Sequence, residues 1–339
     1  QEILLPTRPF QRIEDPNGRI ALCTLGSINW GAFRNPQEMR KACRTLVRSL
    51  SNLLQYQDFL SIQSKMANTE FEPLGVGITN LAYWHARKSM KYGDPEALAE
   101  VKRWMEHQAY YLTEISVELA KERGPCTRSE HTWYGKGVFP WERRNSGVNE
   151  LTDFTPSINW EPLRENMKKY GIRNATLMAV APVESSSVVL NSTNGIEMPM
   201  EMISVKESKA GSFVQVVPEY RRLKNRYQLM WDQKDCVTYL KTAAVLAAYV
   251  DQSLSTNTFY NPAHFEGGKV PGTLVAKNLM LAYKWGIKSI YYSLINKVGA
   301  KTSVTGTNEI LLAIPATSII TTDTSIIYED DDSCEACKL

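Results

Sequence analysis

No apolar run in this sequence approaches the roughly 18–20 residues that a membrane-spanning helix needs. The longest candidate, Val237 to Val250, is interrupted by Lys241, so no membrane partner is expected. Charge of one sign is equally scarce: 39 Lys and Arg stand against 36 Asp and Glu, a net +3. Such a weak field gives no argument for binding nucleic acid or an anionic surface. Cysteine is too sparse for a disulfide scaffold, with 6 in 339 residues, which fits a reducing cytosol. Cys23, Cys43, Cys126 and Cys236 lack ligand-like spacing, and the histidines, His85, His107, His131 and His264, read as surface positions on helices or loops. No metal site is expected. The opening Gln1-Glu2-Ile3-Leu4-Leu5-Pro6 has no initiator Met, basic region or apolar stretch of a signal peptide, and residue 1 reads as a cut in a longer sequence.

What is there is a globular composition, 43% hydrophobic and 22% charged, long enough for a large core. Residues 20–29 read as a buried strand with Cys23 in its middle as a small core hydrophobe. A helix follows from Asn35-Pro36, apolar at Met39, Cys43, Leu46, Val47, Leu50 and Leu54. Residues 74–80 form a short apolar stretch whose Gly75-x-Gly77 imitates a dinucleotide fingerprint, but Asn80 holds the third glycine position and the Rossmann reading is rejected. A long helix starts at Asp94-Pro95 and stops at Gly124-Pro125, and a shorter one runs from Trp160 to Gly171. Residues 175–181 read as a fully buried strand, 236–250 as a helix, 253–260 as extended, 274–286 as a helix and 287–293 as a last strand. Beyond 296 no helical period remains, so residues 296–339 are expected to be a flexible tail, with at most a short strand at 310–314. Strands alternating with helices imply an α/β fold with parallel pairing. About five strands are too few for closure, since a filled barrel needs roughly 8.

Three groups could carry chemistry. Pro182-Val183-Glu184-Ser185-Ser186-Ser187 places hydroxyls and backbone N–H groups at a strand-to-helix junction, where phosphate is favoured, although a plain Ser turn and helix cap fits the spacing as well. Tyr291-Tyr292 reads either as one packed and one surface ring or as two phenols that relay an electron and a proton. Cys334-Glu335-Ala336-Cys337, after an acidic run, is a dithiol too polar in context to be buried. Redox exchange suits it better than zinc, which would need two more ligands.

Together these pieces resemble the large catalytic subunit of class I ribonucleotide reductase. The resemblance rests on Glu2-Ile3-Leu4-Leu5-Pro6-Thr7, Ala21-Leu22-Cys23-Thr24-Leu25, Pro182-x-Glu184-Ser185-Ser186, Asn191-x-Thr193-Asn194-Gly195-Ile196-Glu197, Tyr291-Tyr292 and the terminal Cys-x-x-Cys, in that order. It implies the second five-stranded half of a ten-stranded α/β barrel over residues 1–295, with the redox tail at 296–339. The family's finger-loop motif is Asn-x-Cys-x-Glu, of which Gln1-Glu2 retains the end, so the radical-forming cysteine is expected just before Gln1.

By the resemblance, Glu2 helps deprotonate the ribose 3′-hydroxyl. Cys23 is one of two barrel cysteines that reduce the 2′-carbon, its partner lying in the absent first half. Glu184, Ser185 and Ser186, with Ser187 alongside, bind the substrate diphosphate. Tyr291 and Tyr292 are the radical-transfer pair, and Cys334 and Cys337 are the shuttle dithiol. The implied partners are a complementary N-terminal half, a radical-generating small subunit, thioredoxin or glutaredoxin, and a ribonucleoside diphosphate. No cofactor is expected on this chain; a di-iron tyrosyl radical is expected on the small subunit. A split gene as in some T4-like bacteriophages would produce such a chain, placing it in the cytoplasm of a bacterial host. The alternative is a non-catalytic nucleotide-binding or assembly scaffold, which would have no need for this combination of groups.

Overall fold

Parallel strands linked by helices build the molecule, as the alternation of apolar strands and amphipathic helices requires. The computed structural model describes residues 2–10, 12–208 and 211–296. Strand β1 (Leu25–Asn29) leads through α1 (Met39–Tyr56) and α2 (Ile62–Phe71) to β2 (Gly75–Thr79), which pairs with it in parallel, Leu25 opposite Gly75 and Asn29 opposite Thr79. Helices α3 (Leu81–Lys88), α4 (Pro95–Arg123), α5 (Glu161–Tyr170) and α6 (Glu184–Val189) follow. Next come an antiparallel hairpin of β3 (Ile203–Ser208) and β4 (Gly211–Val216), then α7 (Tyr220–Leu223) and α8 (Val237–Ala247). Strand β5 (Thr256–Tyr260) crosses over through α9 (Gly272–Lys284) to the parallel strand β6 (Ile290–Ile295).

Helices α1, α4, α5, α8 and α9 form where spacing and caps predict them, whereas α2, α3 and α7 were not anticipated. In α1 the residues Met39, Cys43, Val47, Leu50 and Leu54 recur every three or four positions and are buried. Burial pushes the Cys43 thiol up to about 12, so it serves as a small hydrophobe. Helix α4 takes Pro95 at its first position and ends at Gly124, whose φ of +83° a side chain would disfavour. Arg40, Arg44 and Arg48 of α1 pair with Glu114, Glu118 and Glu122 of α4, each 74 positions on, so the two helices run in the same direction. Beneath them Trp30, Trp84 and Trp104 pack with ring centroids 5.2–5.5 Å apart.

The expected strand at 175–181 is not a regular strand. Leu74 and Val76 donate to the carbonyls of Thr176 and Leu177 at 3.0 and 2.8 Å. On the other side Gln252 donates to Met178 at 3.2 Å, Val180 to Ser253 at 3.1 Å, and Ser255 to Val180 at 2.9 Å. Between these bonds the Asp251 carboxylate takes the N–H groups of Leu177 and Met178 at 2.7 and 2.9 Å, so donors that a ladder would use go to a side chain. Only Val180, opposite Leu254, keeps a β-bridge outside the named strands in this stretch. The backbone comes close here: a Cβ on Gly77 would lie 2.9 Å from the Ala179 carbonyl oxygen and 3.1 Å from the Val180 Cα. Gly75-x-Gly77 is therefore a packing device.

Other expectations need correcting. The first strand begins at Leu25, because Leu25 opposite Gly75 is the first pair; Cys23 precedes it and is exposed, not a core residue. The hairpin β3–β4 was not anticipated. His85 and His107 are buried rather than on the surface, since α3 is enclosed from Leu81 to Ala86 and α4 runs through the core. His85 lies between Trp84 and Tyr92, with ring centroids at 5.1 and 4.3 Å, and burial holds its ring down to about 3. Cys334, Cys337 and the 310–314 stretch lie outside the described residues.

Candidate functional site

A cleft of about 60 Å³ is lined by Val180, Pro182, Glu184, Asn194, Glu197, Ser255, Asn257, Tyr291 and Tyr292. It collects residues from the chain after 175–181, the 191–195 loop, β5 and β6. A larger cavity of about 390 Å³ is lined by Trp133, Arg143, Asp251 and Lys288 and includes none of the expected site residues. The chemistry therefore points to the smaller one.

Tyr291 and Tyr292 are neighbours on β6, and neighbours on a regular strand face opposite ways. Here their ring centroids stand 4.0 Å apart with an interplanar angle of 42°. The register explains it: Thr256 opposes Ile290 but Thr258 opposes Ser293, so both tyrosines face Asn257, as in a β-bulge. A hydrogen bond to Tyr292, then burial and the charges of Tyr292, Glu2 and Glu184, hold the Tyr291 phenol above its usual range. Both carboxylates thus bear on the phenol pair.

Glu2 reaches the site from the start of the chain. Its carbonyl accepts the Ser253 N–H at 2.9 Å, and its carboxylate accepts the Ser255 hydroxyl. Gln252 accepts the Leu4 N–H at 3.1 Å, which secures the same segment. A carboxylate held beside an open cleft can take a proton from a bound hydroxyl.

The stretch 182–187 enters α6, whose first-turn N–H groups have no preceding turn to accept them and so favour an anion. Ser185 and Ser186 are exposed there. Ser187 is buried, and its hydroxyl donates to the Glu184 carbonyl at 2.7 Å. Asn194 braces the loop by accepting the Val183 N–H at 3.0 Å. The 191–195 loop is in turn fixed by Asn80, whose carboxamide oxygen takes the Thr193 N–H at 2.9 Å while the Asn80 N–H donates to the Thr193 carbonyl at 3.1 Å.

Sequence reasoning missed Asn80, Ser255 and Asn257 as contributors and gave Glu197 no role. Asn80 carries a local signal, since an Asn directly after a strand readily takes a left-handed conformation, here φ +69°. Glu197 is half-buried, and burial and the charge of Glu184 push its carboxyl above the usual range, against the hydrogen bond from Asn257. Cys23 does not line the cleft. Among the described residues no group of three or more His, Cys, Asp or Glu could hold a metal ion.

The ribonucleotide reductase barrel-domain family matches residues 1–234 and 219–293. The ribonucleoside-diphosphate reductase subunit alpha of Haemophilus influenzae is 42% identical over 291 residues, covering 86% of this chain and 38% of that protein. The subunit alpha of Enterobacteria phage T4 is 37% identical over 295 residues, with the same 86% and 38% shares. The ribonucleoside-diphosphate reductase 1 subunit alpha of Escherichia coli is 40% identical over 239 residues, 70% of this chain and 31% of that protein. The chain thus spans less than half the length of these curated relatives.

Proposed function

Because the chain belongs to the ribonucleotide reductase barrel-domain family, we propose that it forms the C-terminal portion of a class I ribonucleoside-diphosphate reductase alpha subunit. In this reading the bonds running from β1 through β2 and 175–181 to β5 and β6 are one five-stranded half of the barrel, completed by a complementary N-terminal portion. The observation that carries the reading is the tyrosine pair at 4.0 Å, lining one cleft with Glu184 and with Ser255, which is bonded to Glu2.

Each residue then has a task. The first turn of α6, with the Ser185 and Ser186 hydroxyls, holds the substrate diphosphate. Glu2, oriented by Ser255, takes the ribose 3′-hydroxyl proton. Cys23 and a second thiol from the complementary portion reduce the 2′-carbon: both S–H bonds break, an S–S bond forms, the 2′-hydroxyl leaves as water and a C–H bond replaces it. Tyr291 and Tyr292 pass the oxidising equivalent inward, one phenol giving up its electron and proton as the neighbouring phenoxyl gains them. That equivalent originates on a radical-bearing small subunit and ends on a cysteine upstream of Gln1. Cys334 and Cys337 re-reduce the barrel disulfide by thiol–disulfide exchange and are recharged by thioredoxin or glutaredoxin.

The test is reduction of a ribonucleoside diphosphate by this chain mixed with a complementary N-terminal portion and a small subunit. Turnover is expected only from the full mixture. Turnover with the small subunit alone, or none from the full mixture, would refute the reading.

A further inference from the structure

We infer that Asn257 is the positioning residue that sets the tyrosine pair, and that Glu197 in turn fixes Asn257. Asn257 is the one β5 residue facing two residues of β6, since the register steps from Thr256 opposite Ile290 to Thr258 opposite Ser293. A bulge interrupts the regular ladder. At this bulge the Tyr292 N–H goes instead to the Asn257 side-chain oxygen at 3.0 Å. The other end of the carboxamide donates to the Glu197 carboxylate. The second Glu197 oxygen accepts the Asn194 side chain at 3.5 Å. A chain of side chains therefore runs Asn194, Glu197, Asn257, Tyr292, from the loop beside the diphosphate segment to the phenols, and all four line the cleft.

The position demands a carboxamide. It must accept from a backbone N–H on one side and donate to a carboxylate on the other, across a fixed distance. Aspartate offers no donor, serine is too short to span both partners, and alanine offers neither group. The bond is made to the Tyr292 backbone, so the device acts on the main chain that aims the rings. Two phenols exchange a hydrogen atom only when their oxygens are held close, so the Asn257 bond acts on the relay step and not on substrate binding.

The role of the pair as a relay rests on the function proposed above, whereas its placement does not, and the experiment separates the two. 3-Fluorotyrosine at 291 or 292 in the full chain reports ring stacking through its fluorine shift. The assembled enzyme reports kcat and KM. Asn257→Ala is expected to move the fluorine shift toward that of an unstacked tyrosine and to lower kcat about a hundredfold with an unchanged KM. N257D places two carboxylates together and should do the same. N257D/E197Q reverses donor and acceptor and should restore both readouts, which also answers for N257A should that variant fail to fold. An unmoved fluorine shift in N257A or N257D, or a double variant no better than N257D, would overturn the placement. Full turnover by Tyr291→Phe and Tyr292→Phe would instead overturn the relay, whatever the fluorine shifts show.

Discussion

The Asn80 carboxamide donates to the Asn29 side chain at 3.0 Å, tying the residue that ends β1 to the residue that follows β2. The same side chain accepts the Thr193 N–H and hydroxyl, at 2.9 and 3.2 Å. One buried residue thus fastens two strand ends and the loop that braces the diphosphate segment.

Asn80→Ala should therefore destabilise the fold by about 3 kcal/mol, because several buried partners lose their hydrogen bonds together. The left-handed φ of +69° adds strain for any residue with an ordinary side chain. Asn80→Gly relieves that strain and should recover a measurable part of the loss. Denaturant midpoints of the two variants make the comparison, and equal midpoints for wild type and alanine would rule the anchor out.

Replacing Tyr291 or Tyr292 by Phe preserves ring packing but removes the phenolic proton. Turnover by the assembled enzyme should vanish while nucleotide binding persists. Near-normal turnover by both variants would leave the rings as packing residues only.

Changing Ser185 and Ser186 together to Ala should raise the KM for the diphosphate substrate and leave the unfolding midpoint unchanged, since both side chains are exposed. Each charge-assisted bond to phosphate contributes roughly 1.5–3 kcal/mol. An unaltered KM would remove this loop as the phosphate site.

Cys334 and Cys337 changed together to Ser should stop multiple turnover with thioredoxin or glutaredoxin but spare activity with dithiothreitol, a reductant small enough to enter the barrel. Cys23→Ser should abolish normal substrate reduction with either reductant. Thioredoxin-dependent turnover by the tail variant at the wild-type rate would exclude the shuttle, and zinc bound by wild type but lost in that variant would point to metal.

His85 gives the fold a pH dependence. Its folded ring titrates near 3 because burial disfavours the charge, against an ordinary 6.5 once unfolded. Between those values the unfolded chain binds the extra proton, so this contribution is complete above about 6.5 and is lost as pH falls, at roughly 1.4 kcal/mol per unit. Below about 3 both states are protonated and the loss stops. His85→Met should flatten the acid limb of a stability-against-pH curve, and an unchanged slope would show that other groups dominate it.

The longer helices α1, α4, α5, α8 and α9 were the legible part of the sequence, and α2, α3 and α7 were not. The spacing of Met39, Cys43, Val47, Leu50 and Leu54 and the Pro95 and Gly124 punctuation are local signals, and the structure repeats them. The parallel placement of β1 with β2 and of β5 with β6 was also legible, from the alternation of element types. What escaped depends on partners distant in sequence. The 175–181 stretch is apolar enough for a strand, but Asp251 takes two of its donors, and nothing between 175 and 181 announces that. The tyrosine bulge is likewise set by Asn257, 35 positions away. The hairpin escaped because the alternation of β3 stops after Ile203 and Val205, Glu207 standing where the next apolar residue is due. The exposure of Cys23 follows from where β2 begins. In the candidate site, Glu184, Asn194, Tyr291 and Tyr292 stand in motifs that the sequence displays, whereas Asn80 and Asn257, which bond to that loop and to the tyrosine strand, carry no motif.

The arginine–glutamate pairs between α1 and α4 recur every four residues on both helices, like matching marks on two rulers. A slide of one helical turn would bring Arg40 to Glu118 and Arg44 to Glu122, again pairs of opposite charge, and Arg40 already stands 3.8 Å from Glu118. The evenly spaced charges would also be satisfied by helices running in opposite directions, so they hold the two helices together yet tolerate a shift along their length. The buried Met39, Cys43, Val47 and Leu50, each different in shape, act as the teeth that stop the slide.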